Sequence, residues 1–261
     1  MRKGPSLSRW QSGAPDWLRG RNAMVLVLTW AAASVDAISY LGLGHVFTAN
    51  MTGNAVLLGL SIGQGQGLAA LRSIIALAGF AVGVALSAVM LEARPGRGEW
   101  PIGVTGAVAA EAVILGVFTV TWHLGAHRGG LLYGLIALSA VAMGIQSAAI
   151  RHLKVPGIAT TYITGTLTSM VAEFVSWLTR LQRSPMALDP TGQSVTLEAP
   201  TARHYHGARL QGVVVSVYVL AAVVSAVMQA GHSRLVTLSP LLAVALVVVN
   251  AYARHGREPI P

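Results

Sequence analysis

Three carboxyl groups lie where the surrounding chain is apolar enough to sit in lipid. Asp36, Glu111 and Glu173 each interrupt a run of aliphatic and small residues. A charge in the bilayer interior costs at least about 2.5–3.5 kcal/mol, so such a residue normally faces a cavity or a polar partner. No Lys or Arg lies deep within the full-length runs, which leaves protonation or polar partners such as Asn54 and Gln146. Asp36 and Glu111 are therefore candidates for proton coupling; the alternative is a neutral acid that hydrogen-bonds two helices.

A polar cluster also interrupts the sequence TANMTGNAVLLGL, residues 48–60. It consists of Asn50, Thr52, Gly53 and Asn54. Asn50 and Thr52 suit the N-cap of the apolar helix that follows, where a side-chain oxygen accepts from free backbone N–H groups. Gly53 would permit a close approach of the backbone.

The second half of the chain repeats this pattern in the same order. Thr52-Gly53 aligns with Thr164-Gly165 in YITGT, and Asp36 falls near Gln146 with a small insertion. Further on, LSAVM (86–90) matches VSAVM (224–228). Two halves of about 120 residues indicate the internal repeat typical of many transporters and channels.

Two polar-led helices that both start near the membrane midplane would bring their positive dipole ends together. Thr161 or Thr164 would cap the second helix after the extended Pro156-Gly157 lead-in. Such a site suits a small anion or a neutral solute that presents an acceptor. The candidate substrate-binding residues are Asp36, Asn50, Thr52, Gly53, Asn54, Glu111, Gln146, Thr161, Thr164, Gly165 and Thr166. The competing interpretation is tight helix packing through small residues and Thr, which the sequence leaves open.

The composition predicts the elements that must hold these residues. Of 261 residues 54% are hydrophobic and only 10% are charged, whereas soluble domains are about a quarter charged. Six runs approach or exceed the roughly 20 residues that cross a bilayer. They cover 23–43, 68–91, 101–124, 131–150, 211–230 and 235–253, with two less uniform, polar-led stretches at 45–64 and 157–181. The predicted fold is an all-α polytopic transmembrane bundle of six full spans plus two broken or half-length helices, in two related halves.

The predicted organisation has four parts. A cytoplasmic basic tail covers 1–22, a first membrane repeat 23–125, a second repeat 126–253 and a cytoplasmic tail 254–261. The second repeat contains a cytoplasmic loop, 183–209, which has three prolines and no helical or strand period. The chain has no cysteine, which excludes disulfides and thiolate chemistry. We find no pattern for a catalytic centre, a metal or a cofactor.

Basic residues favour one of two topologies. If all eight stretches cross, 13 of the 18 Lys and Arg residues lie in the cytoplasm and 5 outside. If the two polar-led stretches re-enter on the same side, the balance becomes 15 to 3, and the halves become inverted. The positive-inside rule favours the second arrangement by two residues, and both place the two termini in the cytoplasm.

The stretches VDAISYLGLGHVFTANMTGNAVLLGL and AMGIQSAAIRHLKVPGIATTYITGTLTSMVAE, with AAEAVILGVF around Glu111, resemble the YoaK family of bacterial integral membrane proteins. The resemblance covers roughly residues 23–181. The family often has Gln-Asn where this chain has Gln146-Ser147, and the loop 183–209 is longer than usual. The resemblance implies a multi-span inner-membrane protein and no established substrate.

These observations predict a membrane protein that moves a small solute or ion through a midplane site, with the lipid bilayer as its surroundings. The alternatives are a scaffold or sensor that uses the loop as its contact surface, and an intramembrane enzyme acting on lipid. The net charge of +9 sits mainly at ends and in loops, so membrane anchoring explains it better than nucleic acid does. Whether the protein forms a homo-oligomer is left open.

Overall fold

A computed structural model describes residues 20–94, 96, 98–125, 129–155, 163–182, 186–188, 194–196, 202–231 and 235–255. For 180–182, 186–188, 194–196 and 202–206 it describes the backbone alone. The helices in this part of the chain are α1 (Arg21–Gly42), α2 (Met51–Gly63), α3 (Gly67–Ala93), α4 (Ile102–His123), α5 (Leu131–His152), α6 (Ile163–Gln182), α7 (Ala202–Ala230) and α8 (Leu238–His255). Two three-residue strands, β1 (Met186–Leu188) and β2 (Ser194–Thr196), form one antiparallel hairpin.

Six of these helices are long and apolar enough to cross a membrane: α1, α3, α4, α5, α7 over Gly207–Ala230, and α8. The helix α2 has 13 residues and therefore spans only about 20 Å, which is short of the roughly 30 Å hydrocarbon core. The helix α6 has 20 residues but an amphipathic pattern. The prediction of an all-α polytopic membrane bundle is confirmed.

Contacts at the helix ends define two ends of the bundle. At the proximal end, α1 begins and α8 ends: a Cβ on Gly20 would lie 3.4 Å from Arg254 Nη1. The start of α4 is also proximal, since Thr105 Oγ1 lies 3.0 Å from His255 Nε2. At the distal end, a Cβ on Gly42, the last residue of α1, would collide with the indole of Trp122 near the end of α4.

The directions of α3, α7 and α8 follow from contacts at the same two ends of the bundle. The end of α3 is proximal, because a Cβ on Gly103 would lie 2.8 Å from the carbonyl oxygen of Arg94. Its start is distal, since a Cβ on Gly44 would lie 2.6 Å from Arg72 Nη1. The start of α8 is distal, where Thr119 Oγ1 donates to the Thr237 carbonyl at 3.2 Å. The chain between α7 and α8 is short, so α7 also ends at the distal end.

The closest packing is between α3 and α5, which run parallel. A Cβ on Gly83 would collide with the Val141 carbonyl, and a Cβ on Gly144 would collide with the Phe80 carbonyl. Small residues let membrane helices approach to backbone contact in this way. The pairs α1·α7, α4·α5, α1·α8, α4·α8, α2·α3 and α6·α7 complete the main contacts of the bundle. The helix α1 lies at the centre, with twelve buried residues.

The two remaining helices, α2 and α6, each run toward one end of the bundle. The helix α2 begins beside Asp36, about 9 Å before the end of α1, and reaches the distal start of α3 through the turn 64–66. The helix α6 runs antiparallel to α7: a Cβ on Gly212 would lie 3.5 Å from Met170 Sδ, and Gln211 donates to Glu173. Since α7 starts at the proximal end, α6 runs toward that end.

The segment 183–209 differs from its prediction as a loop without secondary structure. It contains the β1–β2 hairpin, and its last eight residues already belong to α7. Its polar and basic composition gives no hydropathy signal, although nothing in ARHYHGAR prevents a helix that continues into the apolar span.

Candidate functional site

The site begins with the turn that leads from α1 back into the membrane. Gly44 and His45 both have positive φ, 83° and 62°, which reverses the chain just after α1 ends. The turn then descends along α1 to Asp36. Asp36 Oδ1 accepts hydrogen bonds from the backbone N–H groups of Thr48 at 2.8 Å and Ala49 at 2.7 Å. Ser39 and Thr48 add a hydroxyl contact of 3.1 Å. These bonds give hydrogen-bond partners to the non-helical backbone of the turn. Such partners are needed at membrane depth, because a buried backbone N–H without one is costly.

Asp36 also reaches into the second half of the chain. Tyr218 Oη on α7 donates to Asp36 Oδ2 at 3.0 Å. Asp36 is 4% exposed, so all its bonds are to protein groups in a buried setting. Asn54 and Gln146, which the sequence offered as polar partners for the buried carboxyl groups, have hydrogen bonds to backbone groups. Asn54 is engaged by Phe47, and Gln146 Nε2 donates to the Leu28 carbonyl at 2.9 Å between α5 and α1.

The two asparagines of NMTGN have separate roles at the start of α2. Asn50 is the N-cap, and its Oδ1 accepts from the Gly53 N–H at 3.1 Å. Asn54 Oδ1 accepts from the Phe47 N–H at 3.0 Å, and its Nδ2 donates to the Phe47 carbonyl at 2.6 Å. Gly53 lets the turn and the helix start lie close together, since a Cβ there would lie 3.0 Å from both Asn50 Nδ2 and Phe47 Cδ2, tighter than an ordinary contact. The turn and the first helical turn therefore form one unit, and Asn54 is structural.

A cavity of about 350 Å³ lies between the start of α2 and the start of α6. The residues that line it are Asn50, Thr52, Gly53 and Val56 from the first half, and Ile163, Thr164 and Tyr218 from the second. Tyr218 is the twelfth of the 24 residues in the apolar stretch Gly207–Ala230, so the cavity lies about halfway along that span. The structure thus brings the two Thr-Gly segments to the same place.

The other predicted site residues lie elsewhere. Thr161 falls outside the described residues. Gly165 and Thr166 follow Thr164 in α6 but are not among the residues lining the cavity, and Thr166 is buried. Gln146 lies in the α1–α5 contact described above.

Glu111 lies in the interior of the bundle, away from the cavity. It shares a face of α4 with Val108 and Leu115, which belong to the apolar cluster formed with α1, α5 and α8. It is fully buried, and neither carboxyl oxygen has a hydrogen-bond partner among the described residues. An isolated buried carboxylate would be very costly, so the neutral acid is the form that this environment favours.

Tyr218 is the functional candidate that sequence reasoning missed. Tyrosines of membrane proteins concentrate at the interfaces, where the ring is in apolar surroundings and the hydroxyl meets water. A tyrosine in the middle of GVVVSVYVLAAVV must instead find a buried partner for its hydroxyl. That argument could have paired it with one of the buried carboxyl groups.

The arrangement can bind a small polar solute. The cavity volume lies at the lower end of the range for ligand pockets, and it is equivalent to about twelve water molecules by their share of liquid volume. The first N–H groups of both helices lack partners within the helix and carry partial positive charge. Among the described lining residues there is no Lys, Arg, Asp or Glu, so hydroxyl and amide groups supply the remaining contacts.

Comparisons with known proteins agree with the fold and give no activity. A family described as "Protein of unknown function (DUF1275)" matches residues 24–250. The chain is 44% identical over 157 residues to the UPF0700 transmembrane protein YoaK of Bacillus subtilis (strain 168). This match covers 59% of the chain and 67% of that relative. No solved structure matches the chain.

Proposed function

The chain belongs to the DUF1275 family, whose function is unknown and which includes the YoaK-type membrane proteins, and we propose that it is a multi-pass transporter or channel for a small solute or ion. The observation that carries this proposal is the cavity between α2 and α6. Two helices that begin at membrane depth, with polar residues at both starts, form a binding site near the midplane in many transporters.

The packing supports an inverted internal repeat. If α1–α4 are matched to α5–α8 in order, the contact α3·α5 corresponds to α7·α1, α2·α3 to α6·α7, and α4·α5 to α8·α1. The contact α4·α8 corresponds to itself. Because α2 runs toward the distal end and α6 toward the proximal end, the halves have opposite orientations. Alternating access in such proteins is a movement of one repeat against the other around a fixed site.

The distribution of basic residues predicts which end of the bundle faces the cytoplasm. Arg21, Arg94, Arg151, Lys154 and Arg254 lie at or beside proximal helix ends. Arg72, near the start of α3, lies at the distal end. By the positive-inside rule, the proximal end and both termini face the cytoplasm of the inner membrane.

The chemistry of the lining favours a solute that accepts hydrogen bonds. Helix starts favour anions, and the hydroxyls of Thr52 and Thr164 can donate. A small anion, or a neutral solute with an acceptor oxygen, therefore suits the cavity better than a cation does.

Flux through proteoliposomes tests the proposal. The purified protein should pass at least one small anion or neutral polar solute from a screen that includes nitrate, chloride and urea. Thr52→Val and Thr164→Val keep the side-chain shape and remove a hydroxyl from the cavity, so each should reduce that flux.

Thr168→Val is the matched control, because Thr168 is one turn further along α6 and its hydroxyl bonds only the Thr164 carbonyl among the described residues. Its flux should equal that of the wild type. Absence of flux for every solute tested, in vesicles shown to contain folded protein, would refute the transport function.

A further inference from the structure

We infer that Asp36 and Tyr218 form a proton-operated switch that turns Tyr218 from an acceptor into a donor at the cavity, so that one proton is taken up together with one hydrogen-bond-accepting solute. This inference rests on the proposed function and adds the coupling ion to it. It is carried by the hydrogen bonds around Asp36 and by the position of Tyr218 on the cavity wall.

The bonds at Oδ1 determine where a proton can bind. Backbone N–H groups can only donate, and Oδ1 already accepts from Thr48 and Ala49. A proton on Asp36 must therefore sit on Oδ2, where it forms an O–H bond. That oxygen faces Tyr218 Oη at 3.0 Å.

The state of Oδ2 fixes the direction of the hydrogen bond to Tyr218. When Asp36 is ionised, the phenol donates to Oδ2, and only oxygen lone pairs remain for the cavity. When Oδ2 carries a proton, it donates to the phenol oxygen, and the phenol proton must rotate away from Asp36. Tyr218 then has a free donor on a cavity wall. Protonation therefore creates a donor for the solute, and binding of an acceptor solute favours protonation by the same factor.

Other ionisable groups near α1 do not occupy this position. Tyr218 is the ionisable side chain that contacts Asp36 among the described residues of the elements packed on α1. In the turn before α2, His45 packs edge-on against Tyr40 at 5.1 Å between ring centroids. The charged or titratable residues of α5, α7 and α8 whose side chains the structure describes elsewhere are Tyr133, Arg151, His152, Arg209, Tyr252, Arg254 and His255.

Two substitutions separate the states of the switch. Asp36→Asn places an amide oxygen where it can accept from Thr48 and Ala49, and an N–H₂ group where it can donate to Tyr218. It therefore copies the protonated form at every pH. Tyr218→Phe removes the donor at every pH and retains the ring.

The first test measures nitrate uptake into proteoliposomes. Nitrate is a small acceptor that stays ionised over the working range. In the wild type, uptake at sub-saturating nitrate should rise roughly tenfold on acidification, since one hydrogen bond to a charged group is gained. Asp36→Asn should show the acid level at every pH and lose accumulation driven by a pH gradient. Tyr218→Phe should stay at the alkaline level.

The second test needs no transported solute. Infrared difference spectra between alkaline and acidic buffer should show a carboxyl C=O band and a change in a tyrosine C–O mode together. Glu111→Gln should retain both infrared signals. That result would assign them to Asp36 and Tyr218 and not to the buried carboxyl group of Glu111 on α4. Asp36→Asn should lose both, and Tyr218→Phe should lose only the tyrosine change.

The outcomes distinguish this inference from the transport function. Nitrate uptake that does not change with pH, with no linked infrared change, overturns the switch and leaves transport intact. A linked infrared change without flux of any screened solute overturns transport and leaves the switch. An Asp36→Asn protein that is folded but as slow as Tyr218→Phe also overturns the switch, because the amide should supply the donor state.

Discussion

The Tyr218 hydroxyl donates to Asp36 Oδ2 at 3.0 Å, although the two residues are 182 positions apart in the chain. This bond joins α1 of the first half to α7 of the second. Asp36 at the same time accepts hydrogen bonds from the backbone N–H groups of Thr48 and Ala49 in the turn before α2. One carboxyl group therefore fixes the start of α2 and the cavity wall formed by α7, which makes it the most informative residue to change.

Asp36→Ala should strongly destabilise the protein. It leaves the N–H groups of Thr48 and Ala49 and the Tyr218 hydroxyl buried without an acceptor, and each unsatisfied group costs about 1–3 kcal/mol. Asp36→Asn keeps an acceptor for the N–H groups and should cost much less. Thermal unfolding in detergent should place Asp36→Ala clearly below Asp36→Asn. Equal melting temperatures for the two variants would contradict the hydrogen-bond network.

Asn50→Ala tests the N-cap of α2. Removing an N-cap side chain costs about 1 kcal/mol, and here it should also loosen the cavity wall formed by the first turn of α2. The matched control is Asn250→Ala, because Asn250 is exposed on α8 and bonds the adjacent Arg254. The control should change the unfolding free energy by less than about 0.5 kcal/mol. The unfolding free energies of both variants can be measured by denaturant titration in detergent.

The predictable part of this molecule follows from local patterns. The six spans and the two polar-led helices can be predicted from the sequence because the apolar runs match the bilayer thickness. Asn50 can be predicted as an N-cap because an apolar helix starts directly after it. The partners of Asp36 could not be identified one by one: a mid-span tyrosine such as Tyr218 needs a buried partner, but the sequence does not say which carboxyl group it is. A backbone N–H has no sequence signature, and Tyr218 lies in the other half of the chain, so only the tertiary packing brings them together. Glu111 was predicted beside the site, but its face of α4 packs into the apolar interior.

Gly83→Ala should destabilise the bundle. The added methyl group would collide with the Val141 carbonyl at the close contact of α3 and α5, and overpacking costs typically about 1–3 kcal/mol. Gly116→Ala is the control, since no atom lies within 4 Å of a Cβ there and the residue is inside a helix. That variant should be neutral or slightly more stable. Thermal unfolding in which Gly83→Ala melts at or above the wild type would contradict the close packing.

Glu111→Met should retain or increase stability. The carboxyl group has no hydrogen-bond partner among the described residues, so its burial is uncompensated, and an unbranched apolar side chain of similar length fits an apolar interior. The unfolding temperature in detergent should therefore not fall. If flux falls while stability rises, Glu111 contributes to transport, as expected of a group retained against stability. A large loss of stability would instead show that the carboxyl group has a partner.

Single-cysteine labelling tests the re-entrant path of α2, and the chain has no native cysteine to remove. The exposed residue Gln64 follows α2 directly, and the exposed Leu124 follows α4 at the distal end. Because α2 starts beside Asp36 and returns to that end, Gln64→Cys should label from the same side as Leu41→Cys, whose exposed side chain lies in the last turn of α1. Leu124→Cys should label from that side as well. Lys154→Cys, just after the proximal end of α5, should label from the other side.

The positive-inside rule adds the absolute orientation. In intact cells, a membrane-impermeant maleimide should reach Gln64→Cys and Leu124→Cys from outside, and Lys154→Cys only after the membrane is opened. If α2 crossed the membrane, Gln64→Cys would label from the side opposite to Leu41→Cys. Gln64→Cys and Leu124→Cys would still share a side in that case, because α3 and α4 both cross between them. Two halves with four crossings each would have the same orientation in the membrane, so α2 and α6 would point in the same direction and the inverted arrangement around the cavity would be wrong. Labelling of Leu41→Cys, Gln64→Cys and Leu124→Cys together from the inside, with Lys154→Cys from the outside, would keep the re-entrant fold and reverse only its orientation.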